Sequence, residues 1–118
     1  MGYYDLNKLE NTGDDKTALE KKHVPYIQAP DQVKKGETFE VTVTFGKEID
    51  HPMEPGHYIQ YFDLYAEYSS LARVTFTPHM KAEATLQVKL EESAKLRVYA
   101  FCNLHDHWEG YVEVEVVE

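Results

Sequence analysis

Four histidines and the only cysteine of the chain fall in three short segments. These are Lys22-His23-Val24-Pro25, then His51-Pro52 with His57 just past Pro55-Gly56, then Cys102-Asn103-Leu104-His105 with Trp108 beyond. A thiolate grouped with several neutral imidazoles suits a borderline first-row transition metal such as iron, copper or zinc, whereas calcium and magnesium prefer oxygen ligands. Each segment alone is commonplace. A lone histidine is more often a surface or core residue than a ligand, and an isolated cysteine is more often buried and inert. Together the three segments read as one metal site made of His23, His51, His57, Cys102 and His105. His79 and His107 pair with nothing at ligand spacing and stay outside the set. A single cysteine forms no internal disulfide, so its thiol is available for chemistry or as a ligand.

The elements that must position these residues are strands. Phe39, Val41, Val43 and Phe45 alternate with Glu40, Thr42 and Thr44, the mark of a half-buried strand. The same period of two runs through Leu71 to Thr77, through Ala82 to Leu90, through Leu96, Val98 and Ala100, and through Tyr111 to Val117. Tyr58 to Tyr68 is a mixed aromatic run that also reads as a strand, and Tyr26 to Val33 is a possible further one. About seven strands with turn signals at short intervals predict an all-β fold, an immunoglobulin-like antiparallel sandwich, in one domain spanning residues 1–118. Residues 1–25 read as an irregular N-terminal segment carrying one ligand. Within it Asn11-Thr-Gly-Asp-Asp is a loop signal, and Thr17-Ala-Leu-Glu resembles a capping box able to start a short helical turn. The ligands then come from loops at one end of the sandwich. His51 and His57 bracket a turn-rich Pro-Met-Glu-Pro-Gly connection that can turn both rings to one point, Cys102 and His105 begin the last interstrand loop, and His23 reaches in from a distant segment.

The chain of 118 residues is 42% hydrophobic and 13% aromatic, enough for one modest core. Its 21 acidic against 12 basic residues, a net charge of -9, argue against a nucleic-acid partner, which needs a concentrated basic face. An anionic substrate would be repelled at long range, so a site for an anion needs its own local positive charge. No run approaches the roughly 20 apolar residues that span a bilayer, and the polar start is not a secretory signal. We therefore expect no membrane association and a cytoplasmic protein.

The three segments resemble, in the right order, the signature segments of the superoxide reductases: Lys22-His23-Val24-Pro25, His51-Pro52 with His57-Tyr58-Ile59, and Cys102-Asn103-x-His105-x-x-Trp108. The closest group is the single-iron one, also called neelaredoxins, because the extra centre of the two-iron desulfoferrodoxins would need four more cysteines. The resemblance runs from about Lys22 to the C-terminus. It implies a mononuclear iron with His23, His51, His57 and His105 in the equatorial plane and Cys102 as the axial thiolate, donating electron density toward the opposite position. The activity implied is one-electron reduction of superoxide to hydrogen peroxide, with two protons taken up and no dioxygen released. Lys22 is assigned to the substrate, as a mobile cation that attracts a small anion and helps supply or organise a proton. Asn103 and Trp108 are supporting residues, the first through a side-chain to backbone hydrogen bond and the second through packing.

Two departures from the family pattern stand out. Lys21 occupies the place where many members have Glu, with Glu20 the nearest acid and Glu54 a weaker candidate, so water, hydroxide or an open position is expected opposite the thiolate. Asp106 stands where the family pattern has Gly, and Asp accepts a left-handed conformation better than most residues. The resemblance further implies an external electron donor such as rubredoxin and a homo-oligomer, commonly a tetramer. Two other classes remain open from the residues alone. A blue-copper electron carrier uses two His, one Cys and usually a weak Met, and a zinc-binding immunoglobulin-like interaction module would use the same loops. Metal analysis with an absorption spectrum separates all three.

Overall fold

The structure, a computed structural model, describes residues 18–47 and 49–118. It consists of α1 (Ala18–His23), β1 (Tyr26–Gln28), β2 (Gln32–Lys34), β3 (Phe39–Thr44), β4 (Ile59–Ala66), β5 (Ser69–Thr75), β6 (Glu83–Val88), β7 (Ala94–Cys102) and β8 (Asp106–Val117). The loop signal at Asn11 and the capping Thr17 lie outside the described residues. The short helix that the capping box announced is α1.

Alternation along the strands, interrupted in β4 and β8, gives each sheet one apolar face. Sheet order is β1-β3-β6 in one layer and β2-β8-β7-β4-β5 in the other. Between the layers Val41 and Val43 of β3 meet Phe62 and Leu64 of β4 and Leu96 and Val98 of β7, all six at 0% exposure. Full burial of a side chain of this size contributes about 1.5–3 kcal/mol, so this inner double row is the principal apolar stabilisation. The all-β sandwich expected from the sequence is the fold observed, and every pairing is antiparallel except β2 with β8, which is parallel.

Two strand limits differ from the sequence reading. The run Tyr26 to Val33 is two strands, giving eight in all among the described residues, because Pro30 has no N–H to continue a ladder. Here the chain crosses over, so that β1 pairs with β3 of one sheet and β2 with β8 of the other. The last strand starts at Asp106 rather than Tyr111. Asp106 has φ +70°, so the chain reverses at once and the β7–β8 ladder reaches the pair Cys102 with Asp106. The mixed pattern of Tyr58 to Tyr68 also has a cause. A bulge at Gln60 changes the phase of β4, so Ile59 faces inward and so do Phe62 and Leu64.

Two glycines hold backbone where a side chain would not fit. Gly46 has φ +78°, and a Cβ there would lie 2.3 Å from the backbone nitrogen of His51 and 2.7 Å from the carbonyl oxygen of Ile49. Gly110 of β8 lies under Pro25, where a Cβ would come within 3.0 Å of the proline ring. The first seats the segment leading into His51, the second the segment leaving His23. No described helix is long and apolar enough to cross a membrane.

Gly46→Ala combines a left-handed φ with a backbone collision that no rotamer change relieves. We expect it to lower stability by more than about 2 kcal/mol, read by denaturant unfolding, whereas Gly56→Ala, with open space around the glycine, should change it by less than about 1 kcal/mol.

Candidate metal centre

Each of the three segments reaches one end of the sandwich by a different local device. His23 is the last residue of α1, whose final turn is closed by the Val24 amide donating to the Glu20 carbonyl at 2.9 Å. His51 and His57 flank a tight turn in which Glu54 and His57 exchange two backbone hydrogen bonds, 3.1 and 2.9 Å. Cys102 is the last residue of β7, rather than part of the loop itself, and His105 is in the turn that follows.

The side chains converge. Ligand atoms of His23, His51, His57 and Cys102 all lie within 4.8 Å of one another. His51 Nε2 is 3.1 Å from His23 Nε2 and 3.5 Å from Cys102 Sγ. His105 Nδ1 is 3.2 Å from His23 Nε2 and 3.2 Å from His57 Nε2. The nitrogens therefore follow a ring in the order His51, His23, His105, His57. Neighbouring imidazoles stand edge to face at 69–85°, while His23 and His57, which are opposite in the ring, are close to parallel at 28°. His23, His51, His57 and Cys102 thus form a donor set suited to one first-row transition ion, and His105 borders it at 3.2 Å from two of its nitrogens.

Burial and hydrogen bonding prepare these donors. His23 and Cys102 are fully buried and His51 nearly so. His51 Nδ1 is 2.7 Å from the Pro52 carbonyl. A carbonyl only accepts, so Nδ1 carries the proton and the neutral ring presents its lone pair at Nε2, the atom in the cluster. Desolvation is the main cause that pushes the His51 pKa down to about 4; the Pro52 bond opposes it, and positive charge on His57, His105 and Lys22 adds to it. Desolvation, His105 and Lys22 lower that of His57 as well, against Glu54, which raises it. Both rings are therefore neutral near pH 7, the state a metal requires.

Around the cluster, Trp108 lies buried against His23, ring centroids 4.9 Å apart and planes within 19°, and its Nε1 donates to the His105 carbonyl at 3.0 Å. The indole thus holds the His23 ring and the His105 main chain at once, a larger part than packing alone. Asn103 makes the expected side-chain to backbone bond, its Oδ1 accepting from the Tyr58 amide at 2.8 Å. Lys22 is half-buried beside His23, and its charge reaches both His51 and His57. His79 is exposed between β5 and β6, and His107 faces Tyr61 and Phe101 outside the cluster. Sequence reasoning missed Gly46, Gly110 and the Pro52 carbonyl. A lone Gly after a strand was the one signal for Gly46, and a backbone carbonyl leaves none.

Residues 15–111 match the family model described as Desulfoferrodoxin. A Methanocaldococcus jannaschii protein is 40% identical over 116 residues, with 95% of each chain covered. A Pyrococcus abyssi protein named superoxide reductase is 35% identical over 104 residues, covering 80% of this chain and 88% of its own. Among solved structures, a superoxide reductase (neelaredoxin) from Ignicoccus hospitalis superposes with a TM-score of 0.77 at 35% identity, covering 86% of this chain and 88% of that one.

The two functions of Trp108 are separable. Trp108→Phe retains a ring against His23 but loses the bond to the His105 carbonyl, an expected loss of about 1 kcal/mol. Trp108→Ala also removes the stack and should cost about 3–5 kcal/mol. Thermal unfolding of the metal-free proteins gives the stabilities, and a Zn2+ titration should show weakened binding in the alanine variant above all.

Proposed function

Because the chain belongs to the desulfoferrodoxin family, we propose that it is a superoxide reductase. It takes one electron from an external donor and two protons to convert superoxide to hydrogen peroxide, releasing no dioxygen. The observation that carries this reading is the gathering of His23, His51, His57 and the buried Cys102 sulfur within 4.8 Å of one another, with His105 3.2 Å from two of these imidazoles. In it His23, His51, His57 and His105 hold a mononuclear iron through nitrogen and Cys102 holds it through sulfur. When bound, iron supplies a one-electron couple between its ferrous and ferric states.

The remaining work falls to side chains of this protein. Cys102, fully buried, keeps its charge undiluted by water, so the electron density of its thiolate is directed at the centre. Trp108 and the core side of β7 exclude solvent from the inner half of the site, which leaves the substrate to approach from the other side. Lys22 supplies the local cation that an anionic substrate needs in a chain of charge -9. Its ammonium draws superoxide in and donates or relays a proton to the departing peroxide, directly or through water. Lys21 stands where the family pattern has Glu, so in this reading water, hydroxide or an open position would take the place of a carboxylate.

A blue-copper carrier would use two imidazoles and one thiolate; the presence of two more nitrogens at 3.2 Å spacing favours the reductase. The donor in this reading is a small iron–sulfur protein such as rubredoxin, the assembly is a homo-oligomer, a tetramer by the family resemblance, and the compartment is the cytoplasm.

Anaerobic mixing of the reduced, iron-loaded protein with superoxide should yield peroxide and no dioxygen; dioxygen evolution would make it a dismutase and sink the assignment. Lys22→Ala should slow the second-order reaction about tenfold or more and weaken its salt dependence while the iron spectrum stays unchanged. Pulse radiolysis reads both, and an unaltered rate and salt dependence would remove Lys22 from the mechanism.

A further inference from the structure

The β4–β7 ladder ends at the pair Ile59 with Cys102, directly beside the metal-competent cluster, and it ends irregularly. Tyr61 pairs with Phe101 while Ile59 pairs with Cys102, so Gln60 is an extra residue on β4. The regular alternative is close at hand. Without the bulge, Gln60 would face Cys102, and His57 would move by one residue, about 3.3 Å, relative to the thiolate. A displacement of that size exceeds a metal–ligand bond length. Joint use of His57 and Cys102 therefore depends on whatever holds the bulged register.

Two groups act on it. On the β5 side, the Gln60 carbonyl accepts from the Phe76 amide at 2.8 Å. On the β7 side, Asn103 makes two bonds to Tyr58. Its backbone amide donates to the Tyr58 carbonyl at 3.2 Å, and its side-chain Oδ1 accepts from the Tyr58 amide at 2.8 Å. Past Cys102 the backbone turns away toward His105. The Asn103 side chain supplies the return bond that a strand carbonyl would have made. Tyr58 directly follows His57 and Asn103 directly follows Cys102, so the clamp joins the peptides adjoining two proposed ligands from different loops.

We propose that Asn103 is a positioning residue that locks the bulged register of β4 on β7 and thereby sets the Cys102 thiolate against the His57 ring. The inference rests on the proposed function only in that Cys102 and His57 share one metal. Asn103 is exposed, so its replacement removes no core packing, and its effect is on register rather than on burial.

Cobalt(II) titration of the full chain tests this without superoxide, since sulfur-to-cobalt charge transfer reports the thiolate and the binding curve reports affinity. Asn103→Ala and Asn103→Gln, the second keeping the amide but moving its oxygen one bond outward, should weaken Co2+ binding about tenfold or more and reduce the sulfur band. Asn103→Asp, which returns an acceptor to the same place, should restore most of both. The proposal is overturned if the alanine and glutamine variants bind Co2+ with wild-type affinity and a full sulfur band, or if the aspartate variant is as defective as they are. A wild-type protein without the sulfur band would instead remove Cys102 from the metal, and with it the purpose of the clamp.

Discussion

Four imidazoles and a cysteine sulfur are gathered at one end of the sandwich, three of the nitrogen contacts being 3.1–3.2 Å. Two neutral imidazoles can share such a distance as an N–H···N hydrogen bond, but a metal requires each nitrogen to present a lone pair, and lone pairs facing one point repel, so the protein must supply the holding force in advance. A metal then offsets that repulsion, since binding to a site present only in the folded state adds directly to folding stability. The supports around the cluster are best understood as answers to that repulsion. Trp108 stacks on the His23 ring and holds the His105 main chain, the Pro52 carbonyl orients the His51 ring, and the Glu54–His57 turn anchors the fourth histidine.

The sandwich is suited to the task because its inner layer is rigid and its ends are free. Cys102 belongs to both: its strand is locked by ladders on either side, to β4 and β8, while its side chain emerges at the last rung. The histidines approach from segments with less regular support, and there the fold adds steric exclusion to a few local hydrogen bonds. Gly46 and Gly110 are places where one added methyl group would push His51 or Pro25 outward. A close-packed interior passes on such a displacement instead of absorbing it.

Strand identity and the candidate ligand set were legible because both depend on local features: alternation for the strands, residue type and spacing for the metal-competent groups. What was not legible depends on partners far away in the chain. The period of β4 is broken by the bulge at Gln60, which exists only in relation to β5 and β7, so its residues read as mixed. Tyr26 to Val33 read as one strand, although Pro30 divides it, and the two halves join different sheets. Asp106 was foreseen as tolerant of a left-handed φ, yet the consequence, a strand beginning at Asp106 instead of Tyr111, follows from the pairing of β7 with β8. The Pro52 carbonyl could not be read at all, since every residue carries one.

Lys22 shows how one charge can serve the site without being part of its assembly. Its field lowers the proton affinity of His51 and His57, which favours the neutral rings that a metal needs. Desolvation is the larger cause for both, and for both the neighbouring imidazoles come before Lys22. The rings would therefore stay neutral without it, and the donor set does not require the ammonium. What the ammonium provides is a positive charge beside the cluster in a protein whose overall field repels anions. Exposed charges are screened beyond about 8–10 Å at ordinary ionic strength, so a cation elsewhere on the surface could not substitute for it. Its placement immediately before His23, in the last turn of α1, puts that charge on the same backbone that positions the ring.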